Sequence, residues 1–269
     1  MQPVDQEKTF YRYSKGIWHS QRNKVISETV VGLTVNGEIW LSFMCSPSHL
    51  EALAVGFLYN ENIIQSKAEI ASVQVCASGD NIDVWLDHAV EKPTQWQRTS
   101  GCGTGMTRAD GVVSTRKRFS NNLISPEELL NRMTQMLKSQ TVYQEARGIH
   151  AAAVTNGQKI FYQVEDIGRH NTLDKLSGFL IMEPVEISPF IIMTTGRVSL
   201  EMLNKSARIG ADVVLSRTSP TTRSIDQADL SGITLIGYAR HAELNVYTHP
   251  ERLLTAGESQ STLSGLFVK

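Results

Sequence analysis

The chain has 269 residues, 41% of them hydrophobic, and 26 Lys and Arg against 27 Asp and Glu give it a net charge of -1. That length suits one large domain or two ordinary ones, at roughly 100 to 200 residues each. The near-neutral balance excludes an overall pull onto nucleic acid or an anionic membrane, and no run approaches the ~18 apolar residues of a membrane span.

The amino terminus, "MQPVDQEKTFYRYSKG", is polar and charged and lacks the apolar segment of a signal peptide, so a cytoplasmic protein is expected. Two stretches then alternate apolar and polar residues, "VVGLTVNGEIWLSF" and "IASVQVCASGDNIDVWLD", with "NG" and "GDN" as turns between strands. Between them Leu50, Leu53, Ala54, Phe57 and Leu58 recur at helical spacing, and Ser46-Pro47-Ser48 is expected to cap that helix. This half reads as a small α+β unit. From Lys92 to Asn122 the pattern fades into prolines, glycines and the basic "STRKRFSNN", as expected of a functional loop followed by a domain connection. Ser125, Pro126 and Glu128 then match a capping box that opens a helix to about Gln140.

Beyond it strands and helices alternate. "HAAAVT" and "KIFYQVE" look like a hairpin, and "RHNTLDKLSGFLIM" is helical, with Leu173, Leu176, Leu180 and Ile181 on one face. Strand "FIIMTT", helix "LEMLNKSARIG", strand "DVVLS", helix "SIDQADLSG" and strand "ITLIGYA" follow. Such alternation predicts a largely parallel sheet with right-handed crossovers. The expected division is therefore 1–122 and 123–269.

In an open α/β sheet, ligands bind at the edge where the strands' carboxyl ends gather. Here those ends read "TTGRVS", "LSRTSP" and "YARHAE", carrying Arg197, Arg217 and Arg240, and Arg169 enters the helix after "VEDIG". Guanidinium groups hold phosphate oxygens bidentately, and the neighbouring helix starts favour anions, so a phosphate-rich ligand fits that edge. Any one of these arginines could instead pair with a surface carboxylate. Asp166 and Asp174, flanking His170, could accept N–H bonds from a guanine edge, or could merely cap the helix or satisfy Arg169. His150 and His170 have an equally ordinary alternative as hydrogen-bonded structural residues.

Three widely spaced cysteines argue against a disulfide framework. Cys45 and Cys76 lie in strand-like segments and are expected to be small buried hydrophobes. Cys102 differs: "TSGCGTGM" sets it between glycines with Arg98 and Arg108 nearby and no acid before Asp110. A free cysteine of pKa about 8.5 is only a few per cent thiolate at neutral pH, and backbone N–H groups and cations raise that fraction.

Several stretches together, "GFLYNENII", "SGCGTG", "GIHAAAV", "EDIGRHNTLDKLSG", "TTGRVSLEML", "SRTSPTT", "GITLIGYAR" and "LNVYTHPERL", resemble the FdhD family of formate dehydrogenase accessory proteins. The resemblance runs from about Val30 to Leu253. It implies a sulfurtransferase that takes sulfur from a cysteine desulfurase as a persulfide and passes it to the molybdenum cofactor of formate dehydrogenase. The carried cofactor would be the bis(molybdopterin guanine dinucleotide) form, which GDP would mimic. The resemblance also implies a homodimer with a small amino-terminal α+β domain and a larger cytidine-deaminase-like domain of three α/β/α layers. Carried over by position, the persulfide cysteine corresponds to Cys102, and a short cofactor-binding segment to Tyr238, Ala239, Arg240, His241, Ala242 and Glu243. Many members carry a C-x-x-C pair on this loop, whereas here that spacing ends at Gly105.

Two other functions compete. One is a cofactor chaperone that delivers the dinucleotide to apo formate dehydrogenase without handling sulfur, which the missing second thiol favours. The other is a zinc deaminase, which needs an H-x-E and then a P-C-x-x-C pattern. Every cysteine precedes the "HAE" at His241–Glu243, and Ala152 stands where "GIHAAAV" would require a glutamate, so no metal site is expected.

Overall fold

The computed structural model describes residues 3–94, 96–98, 106–108 and 124–253, with the side chains of 3–94 and 124–253. In chain order the described residues form β1 (Asp5–Ser14), β2 (Ile17–Ile26), β3 (Thr29–Val35), β4 (Glu38–Cys45), α1 (Leu50–Asn60), β5 (Ile70–Val75), β6 (Asn81–Leu86), β7 (Trp96–Arg98) and β8 (Met106–Arg108). There follow α2 (Pro126–Lys138), α3 (Thr141–Ala146), β9 (His150–Thr155), β10 (Ile160–Asp166), α4 (Arg169–Met182), β11 (Ile191–Thr194), α5 (Leu200–Arg208), β12 (Val213–Ser216), α6 (Thr222–Ser231), β13 (Thr234–Arg240) and β14 (Glu243–Val246).

These elements fall into two compact units. One comprises Met1–Ala109, Gln140–His150 and Glu165–Met182, and the other Asp110–Ser139, Ala151–Val164 and Glu183–Lys269. The continuous division expected at 122/123 differs from this: α3, the 165–169 turn and α4 join the amino-terminal unit. Their partners explain it. α4 packs on α1, and α3 packs on β2.

The first unit is built on a four-stranded sheet of order β4-β3-β6-β5. Asn36-Gly37, both at positive φ, turns β3 into β4 as the "NG" signal predicts, while β3 and β6 run parallel. Its inward residues, among them Val31, Leu33, Phe43, Ile82 and Val84, form one core with Leu53 and Phe57 of α1, and the Phe43 and Phe57 rings meet edge to face at 5.2 Å. The opposite side of α1 meets α4. There Gly56 lies against the Asp174 carbonyl and Gly178 against the Ala52 carbonyl, so close that an added Cβ would sit inside 3.0 Å of each. Asn60 fastens the crossing by donating to Asp174 Oδ1 (2.8 Å) and Ser177 Oγ (2.9 Å).

Ser46 does not cap α1. His49 occupies that position in left-handed conformation, and Ser46 is used elsewhere: its N–H donates to Asp166 Oδ2 (3.0 Å) and its Oγ accepts from Ile167 N (3.2 Å). α3 lacks a capping side chain of its own. Glu165 supplies one from β10, accepting from the N–H groups of Val142 (3.3 Å) and Tyr143 (2.9 Å). β1 and β2 pair along ten residues each in a separate hairpin that the sequence patterns did not announce.

The second unit is built on a six-stranded sheet of order β10-β9-β11-β12-β13-β14. β9 and β10 are neighbours joined by a four-residue turn, the expected hairpin, and β11, β12 and β13 run parallel as predicted. Leu129, Met133 and Met136 of α2 share a core with Ile191, Met193, Val213, Leu215 and Ile236 on one face. Ile192, Val214 and Leu235, one residue out of phase, face the other way and are also buried. α5 connects β11 to β12 and α6 connects β12 to β13, and the two helices pack on each other, α6 also on β13. Ser125 accepts from Glu128 N (3.4 Å) at the start of α2, but the carboxylate that meets its hydroxyl is Glu127 (2.6 Å), not the Glu128 of a capping box. α2 ends at Lys138, two residues before the expected limit.

Candidate functional site

In the second unit, the parallel register Thr194↔Ser216 and Leu215↔Ile236 brings the carboxyl ends of three strands to one edge. The loops beyond them are bonded together. Arg217 N donates to Thr194 O (3.0 Å), Ser216 Oγ to Gly196 O (2.8 Å), Thr221 N to Val198 O (3.0 Å) and Tyr238 N to Thr218 O (3.0 Å). A side chain at Gly237 would stand 2.9 Å from Thr218 O, so the absence of a Cβ there is what lets the β12 and β13 loops approach.

Arg197, Arg217 and Arg240 all stand exposed on these loops. Among the described residues none of the three forms an ion pair with a carboxylate. The Arg240 guanidinium instead lies 5.6 Å from the Tyr238 ring centroid. Ser199 and Thr221 cap α5 and α6 next to two of these arginines, accepting from Met202 N and Ser224 N. The positive ends of both helices therefore lie beside exposed cations, an arrangement suited to an anion.

Segment 238–243 is backbone-strained: Tyr238 (φ 53°) and His241 (φ 58°) are both left-handed, and the β13–β14 register shifts between Gly237 and Arg240. Such strain in non-glycine residues gathers at ligand sites. Tyr238, Arg240, His241, Ala242 and Glu243 are exposed, but the Ala239 methyl is buried in the core, so Ala239 has only its backbone to offer.

In the first unit, the 166–170 turn holds the remaining expected residues. Asp166 is fully buried, and its two oxygens are taken by four donors: Lys175 Nζ (2.5 Å) and Ser46 N (3.0 Å) on Oδ2, Gly168 N (2.7 Å) and Asn171 Nδ2 (2.8 Å) on Oδ1. These four bonds give Asp166 a structural role in the turn, the alternative that the sequence leaves open beside recognition of a guanine edge. Asp174, the other acid flanking His170, is buried and bonded to Asn60. Arg169 is half-buried and His170 is 5% exposed. Burial, helped by Arg169 and His170 and opposed by Asp166, pushes the His150 imidazole below its usual pKa of 6.5. Lys175, the partner that organises this turn, was invisible to periodicity because its ammonium is satisfied by residues 9 and 129 positions away in sequence.

Cys102, Arg98 and Arg108 divide differently. Cys102 lies outside the described residues, as does Asp110, and Arg98 and Arg108 are described only as backbone in β7 and β8, which pair on either side of 99–105. The other two thiols are accounted for. Cys45 is fully buried, and burial, reinforced by the nearby Asp166 carboxylate, pushes its thiol up to about 12. Cys76 is half-buried rather than enclosed, and its thiol donates to Asp80 Oδ1 (3.0 Å). That bond, with a second from Ser78, holds the Asp80 carboxyl below its usual range.

The mixed α/β fold, with three exposed arginines at the strand ends of the second unit's sheet, places the chain among the α/β proteins. The model of the FdhD/NarQ family matches residues 26–254, and the chain belongs to that family. It is 34% identical over 257 residues to a sulfur carrier protein FdhD of Staphylococcus haemolyticus, covering 93% of this chain and 97% of that one. A second relative of the same description, from Staphylococcus aureus, is 34% identical over 90% of this chain and 94% of its own. Among solved structures, a protein assigned as a formate dehydrogenase accessory protein from Desulfotalea psychrophila superposes with a TM-score of 0.80 at 27% identity, over 94% of this chain and all of that one.

Proposed function

We propose that the protein is a sulfur carrier in formate dehydrogenase maturation, with Cys102 as the carrying residue. The observation that supports this most directly is the placement of the other two thiols: Cys45 is fully buried, and Cys76 is hydrogen-bonded to a carboxylate. Relatives named as sulfur carriers, alike over nearly the whole chain, support the same reading. In the loading step the Cys102 thiolate attacks the outer sulfur of a cysteine desulfurase persulfide. The donor's S–S bond breaks, its electron pair leaves on the donor thiolate, and Cys102 is left as the persulfide with no net oxidation. The proposed recipient is the bis(molybdopterin guanine dinucleotide) cofactor, carried as cargo with its phosphates on Arg197, Arg217 and Arg240. A homodimer working in the cytoplasm belongs to the same proposal.

Intact-mass analysis after incubation with a cysteine desulfurase and cysteine tests the carrier. One added sulfur atom is expected on the wild-type chain and none on Cys102→Ala, which should also fail to support formate dehydrogenase maturation. Full maturation by Cys102→Ala, with wild-type protein acquiring no sulfur, would leave the chaperone function instead. For the cargo edge, the triple variant Arg197→Ala/Arg217→Ala/Arg240→Ala should bind GDP at least about tenfold more weakly by calorimetry, since each charged contact contributes about 1.5 kcal/mol or more. Unchanged affinity would remove the dinucleotide from that edge.

A further inference from the structure

The β1–β2 hairpin serves neither the thiol nor the arginine edge, and its outer half is built unlike the rest of the chain. Its base is fastened within the first unit: Ser27 N donates to Val4 O (2.8 Å), and Lys24 pairs with Asp5 and with Glu145 of α3. Its far end exposes Tyr11 (71%), Trp18 (67%) and Tyr13 (61%). Tyr13 is opposite Trp18 in register, with ring centroids 5.1 Å apart, and Tyr11 is two residues from Tyr13, so the three share one face. A two-stranded hairpin is marginal by itself in water, and solvent gives no reason to hold three large rings on one face of it.

Charge narrows the occupant. From Lys8 to Lys24 the hairpin carries five Lys and Arg and no Asp or Glu, against a net charge of -1 for the chain. A like hairpin from a second copy would set Arg12 and Lys15 against their own counterparts. Arg22 pairs with Glu7 and Lys24 with Asp5 and Glu145, whereas Arg12 and Lys15, beside the three rings, form no ion pair among the described residues. Tyr, Trp and Arg grouped with such positive charge is the composition of a protein-binding hot spot facing an acidic surface. The hairpin also shares its compact unit with β7 and β8, the strands that flank Cys102 in sequence, whereas the arginine edge is in the other unit.

From this we infer that the Tyr11/Tyr13/Trp18 face is the docking surface for the protein that loads Cys102, and that it seats on an acidic patch of that donor. The inference rests on the sulfur-carrier function proposed above. The test compares the full wild-type chain with Tyr11→Ser/Tyr13→Ser/Trp18→Ser and with Arg12→Glu/Lys15→Glu. Binding to the cognate cysteine desulfurase is measured at low and high salt, and sulfur loading is measured both from that enzyme and from a small-molecule persulfide. The aromatic variant should bind the desulfurase about tenfold or more weakly. The charge variant should associate more slowly and lose the salt dependence. Both should load normally from the small persulfide, which shows that fold and thiol are intact. Equal affinity and salt response in all three proteins overturns the inference while leaving the carrier function in place. So does an absence of desulfurase binding by the wild-type chain, loss of self-association as the variants' only defect, or RNA binding that the variants abolish. Failure of the wild-type chain to load from either source refutes the carrier function itself.

Discussion

Replacing Gly56 or Gly178 by alanine is expected to lower the melting temperature by roughly 6–12 °C, the largest effect of any single methyl group in the described residues. The added Cβ would overlap a backbone carbonyl of the facing helix, the Asp174 oxygen in one case and the Ala52 oxygen in the other. A flexible side chain can swing away from such a contact, but a helix backbone cannot. α1 and α4 would have to part, which loosens the Asn60 bonds to Asp174 and Ser177 and the packing of Leu50, Leu53 and Leu58. Overpacking of this kind costs about 3 kcal/mol or more, and each 1 kcal/mol moves the transition of a protein this size by about 2–4 °C. Differential scanning fluorimetry of the two single variants measures it, and a wild-type transition in both would show that the helices do not cross at these glycines.

Lys175→Met should destabilise the protein by about 3–5 kcal/mol, because it strands a carboxylate in the interior. Asp166 would keep the donors Ser46 N, Gly168 N and Asn171 Nδ2 but lose the buried ammonium, and Ser46 O and Ser48 Oγ would lose a donor as well. The cost belongs to the broken pair more than to the lost attraction. The double variant Lys175→Met/Asp166→Leu should therefore be less damaged than the sum of the two single ones, provided the same denaturation signal follows all four proteins. Additive losses would mean that the two side chains do not act as a unit.

Where one face of an element is buried and the other is wet, composition was enough to place it. β3 and β6 alternate cleanly, α2 has a clear apolar stripe, and the parallel trio β11, β12 and β13 follows from strands separated by helices. The failures have different causes. The β1–β2 hairpin is exposed on both faces, so nothing in "DQEKTFYRYS" or "IWHSQRNKVI" had to alternate. α4 spans the Arg169–Met182 that the sequence predicts, but its period does not show that His170 to Gly178 are all buried, with Asn171, Asp174 and Lys175 bonded to Met44, Asn60 and Ser46, far away in sequence. Ser46 looked like a cap for the same reason: a serine before a helix has the right chemistry, but the geometry gave it to Asp166 and Ile167.

The candidate site divides in the same way. The arginine edge was visible because strand ends follow from topology, and loops at those ends must share an edge. The role of Asp166 stays open in the sequence because one of the donors that hold it, Ser46 N, lies 120 residues away, and the burial that the contact brings has no local signal.

The interleaving of the first unit also governs how the protein can be made. A ribosome that has released residues up to 122 has exposed the glycine-lined side of α1 with nothing to lie on it, since the helix that fits there ends at Met182. The amino-terminal portion must wait, unfinished, through some sixty further residues of synthesis. For the same reason a fragment cut at the apparent linker is not a domain, and the shortest piece able to close this core continuously reaches from the start of the chain to the end of α4.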